Sequence, residues 1–220
     1  MTSIRKSTLS FLDSLAINNS REWFHANKAS YLEAKENYET VVGEVLRIIT
    51  GFDPIIKGLE VKNCVFRINR DTRFSHDKSP YKTNFGAFIV RGGKKNSDRF
   101  PGYYLHVEPG KGMIAGGAYM PPAPWLAAIR EKIEGEPKKI HEIIEAEEFV
   151  RYFGSIQGDK LIKAPKGYQI DHPEIELLKY KSFHVMHSVP DSMLLHEGFA
   201  EYTGTVCRAM KSFNDFLADY

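Results

Sequence analysis

The sequence predicts an α+β fold, a central and mainly antiparallel sheet flanked by N-terminal and C-terminal helices. Three observations lead there. Apolar residues recur every three or four positions up to Ile49 and again from Leu195 onward, the period of a helix. Between Cys64 and Met120 they alternate instead, the period of a half-buried strand. The alternating stretches are joined by short connections, which favour antiparallel neighbours. All 220 residues are expected to form a single domain, 1–220, since no linker or repeat divides them.

Each element has its own signal. Phe11, Leu12 and Leu15 mark a short amphipathic helix ending near Asn18 and Asn19. Ser20 is a good N-cap for a second helix, carried by Phe24, Tyr31, Tyr38, Val42, Val45 and Ile49 and stopped by Gly51 and Asp53-Pro54. Cys64, Phe66 and Ile68 alternate with Val65, Arg67 and Asn69 in a first predicted strand. Thr83 to Arg91 makes a second, closed by Gly92-Gly93. Tyr103, Leu105 and Val107 share one face of a third, with Tyr104, His106 and Glu108 on the other. The turn Pro109 to Gly112 leads to a fourth, Met113 to Met120. Pro121-Pro122 opens a helix through Trp125, Leu126, Ile129 and Ile133, and Pro137 opens another with Ile140, Ile143 and Ile144. Gly154 to His172 reads as loop, Asp171 to Glu174 as a capping box for a short helix through Leu178, and Ser182 to Val189 as a further strand. One long C-terminal helix is predicted from Leu195 through Leu217.

Composition narrows the class. Hydrophobic residues make up 42% and charged residues 26%, which is globular and not disordered. Two cysteines, Cys64 and Cys207, exclude a disulfide framework and an all-cysteine zinc site. Arg5 and Lys6 are followed by Asp13, so no signal peptide is expected. The longest uncharged run, Met113 to Ile129, holds two glycines and three prolines and is not a membrane helix. A cytoplasmic protein with no membrane partner is the expectation.

The net charge of +2 hides an imbalance. Residues 61–95 carry nine cations against two anions, so the remainder of the chain has five more negative charges than positive. Such segregation sets a positive field over one part of the surface. Arg67, Arg70, Arg73, Lys78 and Lys82 are its densest part and are candidates to bind an anion, since guanidinium groups meet phosphate or carboxylate oxygens in bidentate fashion. Asp71 and Asp77 are expected to orient neighbouring basic groups, and Tyr81 to offer a ring face or a hydroxyl. The plainer reading is a surface salt-bridge network that merely holds a loop.

The string Arg67-x-x-Arg70-Asp71-x-Arg73-Phe74, followed by Asp77-Lys78-x-x-Tyr81, resembles the signature of domain of unknown function 2461, a family found mainly in bacteria and also in some fungi. Asn19-x-Arg21-Glu22-Trp23-Phe24 is similar to that family's first helix. Tyr103 to Pro109, Lys163 to Tyr168 and Asp171-His172-Pro173 are similar to its later blocks. The resemblance implies membership over nearly the whole chain and carries no activity with it.

Other chemistry is sparser. His106 and Glu108 share a strand face and can form an acid/base pair or half a metal site; no third ligand is specified, so no metal is expected. A polar sheet face is the bland alternative. Lys166, with Lys163 and the nearby Lys179 and Lys181, can close over the same anion as a lid or stand in solvent. His184 and His187 point to opposite strand faces, which argues against a metal pair. Trp23, Phe24, Tyr31 and Tyr38 read as core. A carboxylate-and-lysine nuclease set of Asp71, Asp77, Glu108 and Lys111 is weakened by the Pro109-Gly110 turn. No nucleotide-loop, nucleophile-elbow or zinc-protease motif occurs.

The expected function is therefore binding of a phosphorylated or carboxylated small molecule, with chemistry on it left open. His106, Glu108 and Tyr81 are the candidate catalytic groups, and Arg67, Arg70, Arg73, Lys78, Lys82 and Lys166 the anion-binding ones. A nucleic-acid binder using the same patch, or an interaction module without ligand, are the alternatives. The cofactor is unspecified.

Overall fold

The N-terminal helices form where their apolar stripes predict. The structure, a computed structural model, describes residues 2–218. Four helices, α1 (Lys6–Ile17), α2 (Arg21–Ala26), α3 (Lys28–Thr50) and α4 (Val61–Cys64), precede the strands β1 (Phe85–Ile89), β2 (Gly102–Val107) and β3 (Gly112–Ala118). After them come α5 (Ala123–Gly135), α6 (Pro137–Ile144), α7 (Glu147–Phe153), α8 (Ile175–Leu178), β4 (Phe183–Val189), α9 (Asp191–Leu194), α10 (Phe199–Ala209) and α11 (Lys211–Leu217). The strands make one sheet in the order β1-β2-β3-β4, every pair antiparallel. The fold is α+β.

One sheet face builds the core. Phe85, Ala87, Tyr103, Leu105, Ile114, Phe183 and Val185 are buried under the helices. The Tyr38 ring of α3 stacks on Phe85 at 5.2 Å, and its hydroxyl donates to Leu105 O at 3.0 Å. Deleting such a buried ring costs about 3–5 kcal/mol. Gly116 lies beneath Met210, where a Cβ would collide with the thioether sulfur, so the joint of α10 and α11 seats directly on β3. Facing away from the helices, Phe88, Tyr104, His106, Met113, Ala115, Met186 and Ser188 alternate with the core residues and remain partly exposed. This open face positions the site.

Several predicted elements are corrected. The helix expected from Ser20 to Gly51 is two, because Asn27 turns its amide back to Trp23 O at 2.9 Å and ends α2. The C-terminal helix predicted from Leu195 starts only at Phe199, with Gly198 as its N-cap, and breaks at Met210, which serves as the C-cap of α10 and the N-cap of α11. Helix α8 begins only at Ile175, and the group that meets the Glu174 N–H is the His172 imidazole, not Asp171.

The strand predicted over Cys64 to Asn69 is absent as such. Cys64 ends α4, and the residues after it pair only through isolated bridges, Val65 with Ala87 and Asn69 with Tyr81. The registers explain this. Phe66 N–H donates to Gly86 O, whereas Lys82 N–H donates to Ile68 O. Between these two bonds one residue, Arg67, therefore faces three, residues 83–85. Thr83 and Asn84 are the surplus, and they bulge out of the ladder. That bulge also delays β1 to Phe85.

Candidate functional site

Between Asn69 and Tyr81 the chain forms a loop closed by Arg70 N–H donating to Pro80 O at 2.9 Å. Its charges largely satisfy one another. Arg70 pairs with Asp77 and reaches Ser75 Oγ at 3.3 Å. Asp77 also accepts from the Ser79 N–H and hydroxyl; these bonds, with Arg70, hold its carboxyl well below the usual range. Arg73 grips Asp71 through two bonds of 2.9 and 2.6 Å and lies over the ring of Phe74, which is 93% exposed. Lys78 donates to Thr72 O at 3.0 Å. These three cations are committed to keeping a long loop in shape.

Tyr81 anchors the loop's far end. Its ring is buried and stacks on Phe24 at 3.9 Å, while its backbone N–H and C=O are both held by the Asn19 side chain, at 3.1 and 3.0 Å. The two stretches of family resemblance that contain Asn19 and Tyr81 thus meet in space.

Immediately beyond, the bulge delivers two side chains to the open face. Thr83 Oγ1 donates to Glu108 Oε1 at 2.7 Å, and the Asn84 amide donates to His106 Nδ1 at 3.3 Å. With Nδ1 accepting, the neutral ring carries its proton on Nε2, which faces Glu108 Oε2 at 3.1 Å. The Tyr104 hydroxyl also meets Nδ1, at 3.1 Å. A chain Tyr104–His106–Glu108 results, with Lys111 at 3.5 Å from the carboxylate. Burial works to raise the pKa of Glu108, but bonds from Thr83 and His106 and the charge of Lys111 outweigh it and leave the carboxyl below its ordinary value. Burial, then the Glu108 charge, push the Tyr104 phenol up, so it stays protonated.

Gly86 makes the arrangement fit. It stands opposite His106 in the ladder, and a Cβ there would lie 2.8 Å from Tyr104 Oη. On the far side of this gap the Phe66 ring meets Tyr104 edge-on at 6.5 Å. Lys82 Nζ sits over Phe66, 5.2 Å from its centroid. Lys82 is half-buried and makes no ion pair or side-chain hydrogen bond among the described residues. Burial, then the charge of Arg67, hold its pKa below the ordinary lysine range. Arg67 is exposed and likewise has no ion pair among the described residues.

Of the sequence candidates, His106 and Glu108 bond each other; Lys82 is linked to them through the Phe66 and Tyr104 rings, and Arg67 acts on Lys82 electrostatically. Arg70, Arg73, Lys78, Asp71 and Asp77 stand in the loop as internal pairs, and Tyr81 is in the core. Lys166 is exposed in a segment tied to α8 and β4 by Leu161 N–H to Lys179 O and Gln157 N–H to His184 O, on the β4 edge; the arginine loop hangs from the β1 edge. Sequence reasoning missed Phe66, Thr83, Asn84 and Tyr104. Tyr104 alone carried a signal, its strand parity with His106. His184 and His187 face opposite ways, His187 bonding Tyr152 O and Tyr202 Oη and His184 bonding Ser182 Oγ.

Two cavities lie elsewhere. An open depression of about 420 Å³ is lined by Glu36, Glu39, Glu60 and Lys62, a lining unsuited to anions. A slot of about 20 Å³ beside Asp53, Tyr103 and Asn214 contains the buried Asn214 Oδ1, which has no hydrogen-bond partner; its size matches a single water. Among the described residues no three His, Cys, Asp or Glu side chains gather as a metal site. No helix among them is long and apolar enough to cross a membrane.

A family model described as Conserved hypothetical protein (DUF2461) matches residues 7–216, nearly the whole chain. No curated protein and no solved structure gives a significant match.

Proposed function

The chain belongs to the DUF2461 family of conserved hypothetical proteins, and from that premise we propose that it binds a phosphorylated or carboxylated small molecule on the open sheet face. Lys82 and Arg67 meet the anionic group. The Tyr104–His106–Glu108 chain moves a proton to or from the ligand, with Tyr104 as the group that touches it. One observation carries the reading: two neighbouring cations, one of them half-buried, make no ion pair among the described residues, and the half-buried one is linked through Phe66 to an ordered acid/base chain. Uncompensated charge in a partly buried position is costly, and an anion relieves the cost. Two buried free thiols suit a reducing, cytoplasmic setting, and burial pushes the Cys64 thiol up to about 11, which keeps it inert.

The test is thermal unfolding with inorganic phosphate, pyrophosphate and citrate. At least one should raise the melting temperature of the wild type and lose that effect in Arg67→Gln. No stabilisation of the wild type by any of them would count against the reading.

A second reading, single-stranded nucleic acid, is favoured by one feature. Phe74 projects from the basic loop almost fully exposed, beside Arg73, as a base-stacking side chain would. Binding should then weaken steeply with salt and with Phe74→Ala. A gel shift that shows no complex at low salt rejects it.

A further inference from the structure

We propose that Lys82 is a nucleophilic amine that condenses with the carbonyl of a 2-oxo carboxylic acid to form an imine. The proposal rests on the anion-binding reading and names the ligand class and the reaction it permits.

The geometry supports it in three ways. A lysine nucleophile has to be free of carboxylate partners, because a salt bridge holds the ammonium form. Lys82 has none among the described residues; the Phe66 ring beneath it attracts the ammonium weakly, and burial opposes that charge. It also needs a nearby cation to disfavour its own charge, and Arg67 is close enough to act on it electrostatically. Finally, imine formation needs proton transfer beside the amine. Lys82 is followed directly by Thr83 and Asn84, which bond Glu108 and His106, and its Phe66 shelf touches Tyr104. Burial and Arg67 both lower the pKa of Lys82, which raises the fraction of reactive amine at neutral pH.

The step balances without a further reagent. The lone pair of unprotonated Nζ adds to the carbonyl carbon, and the carbonyl π pair moves to oxygen. Both amine hydrogens pass to that oxygen, by way of the Tyr104–His106–Glu108 chain. The oxygen departs as water, and the C=N bond remains. Arg67 holds the neighbouring carboxylate, which selects a 2-oxo acid over a simple aldehyde. The imine draws electrons from the adjacent carbon, so the reactions it opens are proton exchange and bond cleavage next to the former carbonyl.

The experiment treats the full chain at neutral pH with pyruvate and sodium cyanoborohydride, which reduces the imine to a stable carboxyethyl-lysine. Peptide mass spectrometry then compares sites. Lys82 should be labelled several-fold faster than the exposed Lys57 and Lys166, because burial and the charge of Arg67 lower its pKa and enlarge its share of free amine. Arg67→Gln should slow labelling at Lys82 and leave Lys57 unchanged. Propionaldehyde, which lacks the carboxylate, should show less preference for Lys82. Labelling of Lys82 no faster than of Lys57 overturns the proposal. If anions still raise the melting temperature in that case, the binding reading stands without the imine. If no anion does, the binding reading falls as well.

Discussion

The Thr83 hydroxyl donates to the Glu108 carboxylate across 2.7 Å, joining the end of the arginine loop to the strand that carries His106. Twenty-five positions separate the two residues along the chain. A two-residue surplus in the pairing between 66–68 and 82–86 brings them together. The loop is therefore a device for holding that surplus in place, and the proposed site lies at its base.

Lys82→Gln should keep or raise the melting temperature in the absence of ligand and abolish stabilisation by anions. The sign comes from the depressed pKa. Between the folded value and the ordinary lysine value the unfolded chain binds more protons, so stability rises with pH there. Removing the group removes that rise. A variant that loses stability at neutral pH and keeps its anion response would contradict this.

Glu108 has the opposite dependence. Its carboxyl is held below the ordinary range, so its stabilisation is complete above the unfolded value and is lost as pH falls through the folded one. Urea unfolding tracked from neutral to acid pH should therefore show a shallower acid loss in Glu108→Gln than in the wild type. Equal slopes would mean that the bonds from Thr83 and His106 contribute nothing.

Gly86→Ala places a methyl group 2.8 Å from Tyr104 Oη and forces the ring aside. A cost of about 1–3 kcal/mol is expected for such overpacking. Anion stabilisation should fall with it, because the Tyr104–His106 bond is broken. Denaturant titration gives the first quantity and the thermal assay the second.

Tyr81 separates the two roles of the loop. Tyr81→Ala removes a ring stacked on Phe24 and should cost about 3 kcal/mol. Tyr81→Phe keeps the ring and should leave both stability and anion response unchanged. Loss of the anion response in Tyr81→Phe alone would restore a chemical role for its hydroxyl.

Arg73→Ala should leave the anion response intact, since that guanidinium is already taken by Asp71. Retention of binding in Arg73→Ala beside its loss in Arg67→Gln separates the paired loop charges from the Arg67 charge.

Much of the fold was legible in the chain. Tyr103, Leu105 and Val107 alternate cleanly, and the pairing partners are set by short turns such as Pro109 to Gly112. The helix breaks were less so. Met210 looks like an uninterrupted helical position, and only its seat over Gly116 on β3 explains the joint there. At the site, His106 and Glu108 could be paired by parity alone. Their partners Thr83 and Asn84 could not, because the alternation that suggests a strand from Thr83 conceals a bulge. Charge density drew attention to Arg70 and Arg73, yet Asp71 and Asp77 sit at the spacings that bond them. Counting cations locates a field; pairing decides which cations remain available.

The most direct test is a two-dimensional amide NMR titration of the labelled chain with pyrophosphate. If Lys82 and Arg67 hold the anion, shifts should concentrate at Phe66-Arg67, Lys82 to Asn84 and Tyr104 to Glu108, and vanish in Lys82→Gln. Shifts confined to Arg70 through Lys78, or none at saturating pyrophosphate, would contradict it.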